Sequence, residues 1–269
     1  MSAAIVLARS LRDSRRAAVW WALGMVALVA FTVAFYPSVR DNPTFDELIE
    51  DLPEAMRALV GAQDGIPLTS PAGYLHGRLF AVMVPVLLLT FGIGHGAKAI
   101  GGSEADGTLE LLLANPVTRR RVVAERYAAL VLLLAGITGV LSLSLVVLGP
   151  TVGLLDGVGI PRLLGASAAA FCIALLHTTL AFAVGAAFGR PAPAVAVATS
   201  VASAGYLLQS LTAASDRLRS LEVLSPWHWY LDRNVLAEGV APGAVAVPLI
   251  AAAVLFAAAA WRFDRRDLR

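Results

Sequence analysis

Between Arg16 and Arg40 the chain runs for 23 residues without a charged side chain. That stretch limits the fold more than any motif does. About 20 apolar residues in a helix, rising 1.5 Å each, cross the ~30 Å hydrocarbon layer of a bilayer. In lipid the backbone must satisfy its own hydrogen bonds, so the stretch reads as a helix. Five further apolar stretches follow, and expected spans lie at about 17–36, 79–97, 127–148, 163–188, 192–211 and 240–260. Gly149-Pro150 and Gly189-Arg190-Pro191 supply turns between them. Only 15% of residues are charged, where a soluble domain carries about 25%. The expected fold class is an all-α polytopic membrane protein, a single domain of six transmembrane helices.

Six spans place both termini on one side, and the basic residues choose it. The N-terminus, the 98–126 insert, Arg190 and the C-terminus hold 14 basic residues, and the other loops hold 7. Positive residues stay inside, so both termini and the insert are expected to be cytoplasmic. A cleaved signal peptide is a poor reading of the basic start, because the apolar run is of spanning length and no small-residue cleavage site ends it. Residues 1–16 interleave Arg9, Arg12, Arg15 and Arg16 with Ile5, Val6, Leu7 and Leu11, which suggests an amphipathic helix on the membrane surface.

Two outer amphipathic segments are expected, before spans 2 and 6. In 44–60, Phe45, Leu48, Ile49, Leu52, Met56, Leu59 and Val60 fall at helical spacing. Thr44 and Glu47 form a capping-box start, and Pro53 implies a kink or two short helices. Before span 6, Leu218, Leu221 and Leu224 precede an aromatic cluster in which Trp227, Trp229 and Tyr230 suit a membrane–water boundary. Gly92, Gly94 and Gly96 at the end of span 2 suit close helix packing.

Catalytic and metal chemistry finds little support. A phosphate loop needs lysine after glycine and before a hydroxyl residue. The single lysine, Lys98, sits between Ala97 and Ala99. One cysteine, Cys172, excludes an internal disulfide. The net charge of +2, with arginines at helix ends, argues against nucleic acid. Histidines 76, 95, 177 and 228 are scattered. His177 with Thr178 forms an intramembrane polar site or, more plainly, a hydrogen-bonded packing contact. Metal ligation is not expected. One lysine among 21 basic residues, with abundant alanine, hints at a high-GC bacterial source and a cytoplasmic membrane location.

The insert, 101–126, reads GGSEADGTLELLLANPVTRRRVVAER. Ser103 with Asp106 suggests a helix cap. Leu109, Leu112 and Leu113 form one apolar face, while Glu104, Asp106 and Glu110 keep the helix soluble. Pro116 disfavours helix at Asn115, and Thr118 caps span 3. Arg119, Arg120 and Arg121 then sit in a first helical turn, where the dipole prefers acids. Lipid headgroups or acids on a partner would each account for them, and both readings stand.

The string from Glu104 to Arg121 resembles the cytoplasmic signature of ABC-2 type transporter permeases, and the six-span layout is similar to theirs. The resemblance implies a membrane subunit whose ATPase is a separate chain, present in two copies, with a second permease copy or paralogue beside it. ATP and Mg would bind only the partner, leaving this chain without a cofactor and without enzyme activity of its own. A coupling segment, 101–121, would meet the ATPase through Glu104, Asp106, Gly107, Thr108, Leu109, Glu110, Leu112, Leu113, Pro116, Arg119, Arg120 and Arg121. By the same analogy, spans 1, 2 and 5 line a path for an exported apolar or amphiphilic cargo. A force-transmitting role without a cargo, as in metalloenzyme maturation, is the alternative. An intramembrane enzyme built on His177 or His95 is more remote, since no second catalytic group stands at a suitable spacing.

Overall fold

The structure is a computed structural model, and it describes residues 5–42, 44–53, 56–57, 65–115, 117–213, 219–231 and 233–266. The described residues are helical with no strand, and six helices are long and apolar enough to cross a membrane. The all-α, six-span expectation holds. Much of the second half of 44–60, including Leu59 and Val60, and Leu218 lie outside the described residues.

α1 (Ile5–Arg40) is one unbroken helix. Its 36 residues rise about 54 Å, well beyond a hydrocarbon layer. The expected division into a surface helix over 1–16 and a separate span is therefore corrected. No breaker lies between Ile5 and Tyr36, so nothing in the sequence turns the basic end flat. Pro37 falls in the last turn, so the one backbone hydrogen bond that its missing N–H removes lies close to the helix end. The first N–H groups of a helix lack intrahelical partners, and here the Leu7 amide donates to Glu125 Oε2 at 2.9 Å. At the opposite end Arg40 Nη1 donates to the carbonyl of Val152 at 3.2 Å.

α2 (Thr44–Glu50) stops before Pro53, and the Thr44 amide takes its acceptor from the Asn42 side chain at 3.2 Å. Thr44 is thus the first helical residue rather than the expected cap. Asp46 accepts from the Thr69 amide and hydroxyl at 3.2 and 2.6 Å, which ties α2 to the approach to span 2.

The second span is built in pieces over Pro71–Ala105. α3 (Pro71–Leu75) runs into a π-helical turn, His76–Phe80, then α4 (Met83–Ala97), a second π turn, Lys98–Gly102, and α5 (Ser103–Ala105). Pro85 lies in the first turn of α4, where its lack of an N–H costs nothing and marks a restart. After α5 the chain bends at Gly107, whose φ of 68° is left-handed, and enters α6 (Thr108–Leu113). The helical part of the insert is thus two short helices, because Gly107 adopts at no steric cost a turn that other residues resist. α7 (Arg119–Leu148) follows, with the Thr118 hydroxyl accepting from the Arg121 amide at 3.3 Å as its cap.

α8 (Ile160–Phe188) is the hub: 67% of its most apolar stretch is buried, against 22% for α1. Small residues make this possible. Ala166, Ala169, Ala170, Ala174, Ala181 and Ala186 let neighbouring backbones approach. α4 crosses it closely. A Cβ on Gly92 would overlap the Thr178 hydroxyl, and one on Gly96 would lie 2.6 Å from the Thr178 carbonyl.

α9 (Pro191–Ala213), α10 (Pro226–Leu231), α11 (Val235–Glu238) and α12 (Pro242–Arg265) complete the bundle. Two rings of the aromatic cluster before the last span are enclosed by the protein rather than wet on one side. Trp227 and Tyr230 are buried, with Trp227 Nε1 donating to Ala202 O at 2.8 Å and Tyr230 Oη donating to Phe80 O at 2.5 Å. Each ring finds its polar partner on a helix instead of in interfacial water. Burial pushes the Tyr230 phenol up, so it remains a neutral donor.

Candidate functional site at the insert end

Sequence-distant ends converge here. Leu7 of α1 meets Glu125 of α7, and Arg266 after α12 meets Glu104 of α5. The described ends of the chain and the insert therefore share one end of the bundle. This also makes α1 and α7 parallel neighbours, since Arg40 and Val152 meet at the other end.

The insert rests on its own small core. Ile100, Leu109, Val122, Val123, Phe182 and Phe263 pack together, with Leu112, Leu113 and Val117 partly buried at the edge. Leu109 is wholly enclosed, so it anchors α6 and cannot touch a partner. Leu112 and Leu113 share this role in part. What α6 offers outward is Asp106, Gly107, Thr108, Glu110 and Leu111, all exposed. Leu111 stands 73% exposed. The leucine-face reading passed over it, because it counted apolar residues on the packed side. An apolar side chain ringed by Asp106 and Glu110 was the available signal.

Four charged residues expected to face a partner are engaged within the chain. Glu104 is paired with Arg266, and both side chains are nearly covered, at 6% and 13% exposure. Arg119 Nη1 donates to the carbonyls of Arg266 at 2.5 Å and Phe263 at 3.4 Å, capping the last turn of α12. Arg120 grips Asp264 through Nε and Nη2 at 3.0 and 2.8 Å. Arg121 Nε donates to Glu125 Oε1 at 2.6 Å. These pairings explain why three arginines tolerate a helix start: each answers an acceptor supplied by a neighbour. Pro116 lies outside the described residues.

Gly189, between α8 and α9, completes the junction. Its φ is 67°, and a Cβ there would lie 2.5 Å from Glu104 Oε1 and 2.8 Å from an Arg266 nitrogen. Backbone from the turn after span 4 thus floors the ion pair.

His177 and Thr178 are both buried in α8. The His177 Nδ1 lies 2.9 Å from Ile173 O, while Nε2 has no hydrogen-bond partner among the described residues. Thr178 donates to Ala174 O at 2.7 Å and packs against Gly92 and Gly96. Thr178 thus packs against α4, and each of the two side chains meets a backbone carbonyl of its own helix. Among the described residues no cluster of His, Cys, Asp or Glu could hold a metal ion.

A concavity lies between α4 and α9. It encloses about 670 Å³ and is lined by Thr90, Gly94, Thr199, Ser203, Tyr206 and Trp227 among apolar neighbours. That volume falls within the ~300–1,000 Å³ common for small-molecule sites.

The family model described as ABC-2 family transporter protein matches residues 4–268. The chain belongs to the ABC-2 transporter family, and it is a multi-pass membrane component of a transporter. No curated protein matches it.

Proposed function

We propose that this chain is the transmembrane subunit of an ATP-driven exporter of apolar or amphiphilic cargo. A separate cytoplasmic ATPase, in two copies, would dock on α6, and a second permease copy would face this one. The arginine-rich end is then the cytoplasmic end.

The observation that carries the reading is the mounting of α6. Its outer surface is free for a partner, while its inner face is fixed by Leu109 to a core shared with α7, α8 and α12. The Glu104–Arg266 pair ties its approach to the end of α12. A push on α6 would therefore reach several spans at once. This shifts the contact set from the one expected: Asp106, Gly107, Thr108, Glu110 and Leu111 touch the ATPase, and Glu104 with Arg119 to Arg121 transmit.

The cargo site is the α4–α9 concavity, whose hydroxyls and rings suit an apolar or amphiphilic molecule. Two measurements test the proposal. Leu111→Asp should abolish co-purification of the ATPase while leaving thermal stability unchanged; retained association removes α6 as the docking element. In proteoliposomes an amphiphilic cargo should stimulate ATP hydrolysis. ATPase that docks normally but ignores every such compound favours force transmission over export.

A further inference from the structure

A second concavity, of about 620 Å³, lies beside α6 and takes Arg9 and Asp13 from α1, Ser103 from α5, Leu112 from α6, and Arg121 and Arg126 from α7. Its charge is lopsided, with three arginines against one aspartate. Arg121 already holds Glu125, and Arg9 reaches Asp13 only at 3.8 Å, with both side chains well exposed.

Arg126 is the residue the coupling reading leaves unused. One nitrogen, Nη1, donates to Ala99 O and to Ser103 Oγ, which fixes the guanidinium beneath the insert. Among the described residues no carboxylate lies within ion-pair distance of it. A half-buried, immobilised cation on a cavity wall is costly without an anion. Guanidinium groups match the oxygens of a phosphate in particular.

The rest of the wall suggests where that phosphate comes from. Val6, Leu112 and Val117 make part of the lining apolar. α1 leads from this concavity directly into the membrane. A headgroup with its glycerol end against these side chains matches both halves of the lining.

We propose that this concavity binds the phosphate of an anionic phospholipid, held by Arg126 and Arg9, between the start of α1 and the insert. The lipid would brace α1 against α6 and α7, whichever ATPase docks outside. The concavity borders the α6 contact surface and shares Thr108 and Leu111 with it, but Arg9 and Arg126, which hold the phosphate, lie outside that contact set.

The test uses the full chain in phosphatidylcholine nanodiscs with and without phosphatidylglycerol, with retained lipid counted by native mass spectrometry. Phosphatidylglycerol should be retained in preference to phosphatidylcholine. Each of Arg9→Gln and Arg126→Gln should lower that retention about fivefold, the effect of one arginine near an anionic headgroup. Arg162→Gln, at the other end of the bundle, should change nothing. Because Arg126 also holds Ala99 and Ser103, a misfolded Arg126→Gln leaves Arg9→Gln to decide. Displacement of the lipid by inorganic phosphate supports the same anion site with free phosphate as a second source. Equal retention of both lipids, or an Arg9→Gln protein indistinguishable from Arg162→Gln, overturns the proposal. So does an Arg9→Gln protein that loses ATPase binding with lipid retention intact, since that assigns the arginines to a protein carboxylate.

Discussion

Glu104 and Arg266 meet across 162 residues of chain, and their separation matters less than their burial. A covered ion pair gains little over apolar replacements, yet removing one partner strands the other charge. Arg266→Gln should therefore lower stability by about 3 kcal/mol, read as thermal unfolding in detergent. Glu104→Gln combined with Arg266→Gln should recover most of that loss; a double variant no better than the single would show that the pair is not the source. Gly189→Ala should destabilise by the same route, through a left-handed backbone and a Cβ pressed on Glu104. None of this was legible in the sequence. The motif around Glu104 drew attention to the residue, but periodicity says nothing about a partner brought in by another helix. Arg119 to Arg121 posed the right question, since they oppose a helix dipole. Their answers lie on Asp264, Glu125 and two carbonyls.

At the scale of elements, the glycines of α4 divide by what they face. Gly96 sits against the Thr178 carbonyl, whereas Gly94 has nothing within 4 Å. Gly96→Ala should cost about 1–3 kcal/mol of stability from overpacking, measured by thermal unfolding, and Gly94→Ala should leave it unchanged. A reversed order would mean that α4 and α8 cross elsewhere. The sequence suggested close packing for Gly92, Gly94 and Gly96 alike, because spacing alone cannot tell which face a neighbour occupies. Span helices were legible because apolar length is a local property. The continuity of α1 was not, because arginines spaced among leucines suit a surface helix and an extended rod equally well.

For the whole molecule, the shared location of the chain ends and the insert follows from the Leu7–Glu125 and Glu104–Arg266 contacts. Cysteine labelling tests the sidedness. Cys172 is buried, at 3% exposure, and should be silent. A membrane-impermeant thiol reagent should label Arg12→Cys and Ala105→Cys only in inverted vesicles, and Thr151→Cys only in right-side-out ones. Labelling of Arg12→Cys and Thr151→Cys from the same side would rule out this topology, and an exchange of their sides would reverse it. The count of spans was readable from hydropathy, and arginine placement supplies the orientation that the labelling tests. The way the ends lock together needed coordinates.

The two locks also set an order on biosynthesis. The Leu7 amide gains its acceptor from a residue made 118 positions later, so α1 enters the membrane before the carboxylate that finishes its first turn exists. The small core under α6 needs Ala259 and Phe263, and the ion pair beside it needs Arg266. A nascent chain lacking α12 would carry the α6 sequence but not its platform. If the ATPase docks on α6 as proposed, one arriving early would find the signature without a rigid seat, and the late helix would act as a checkpoint on assembly.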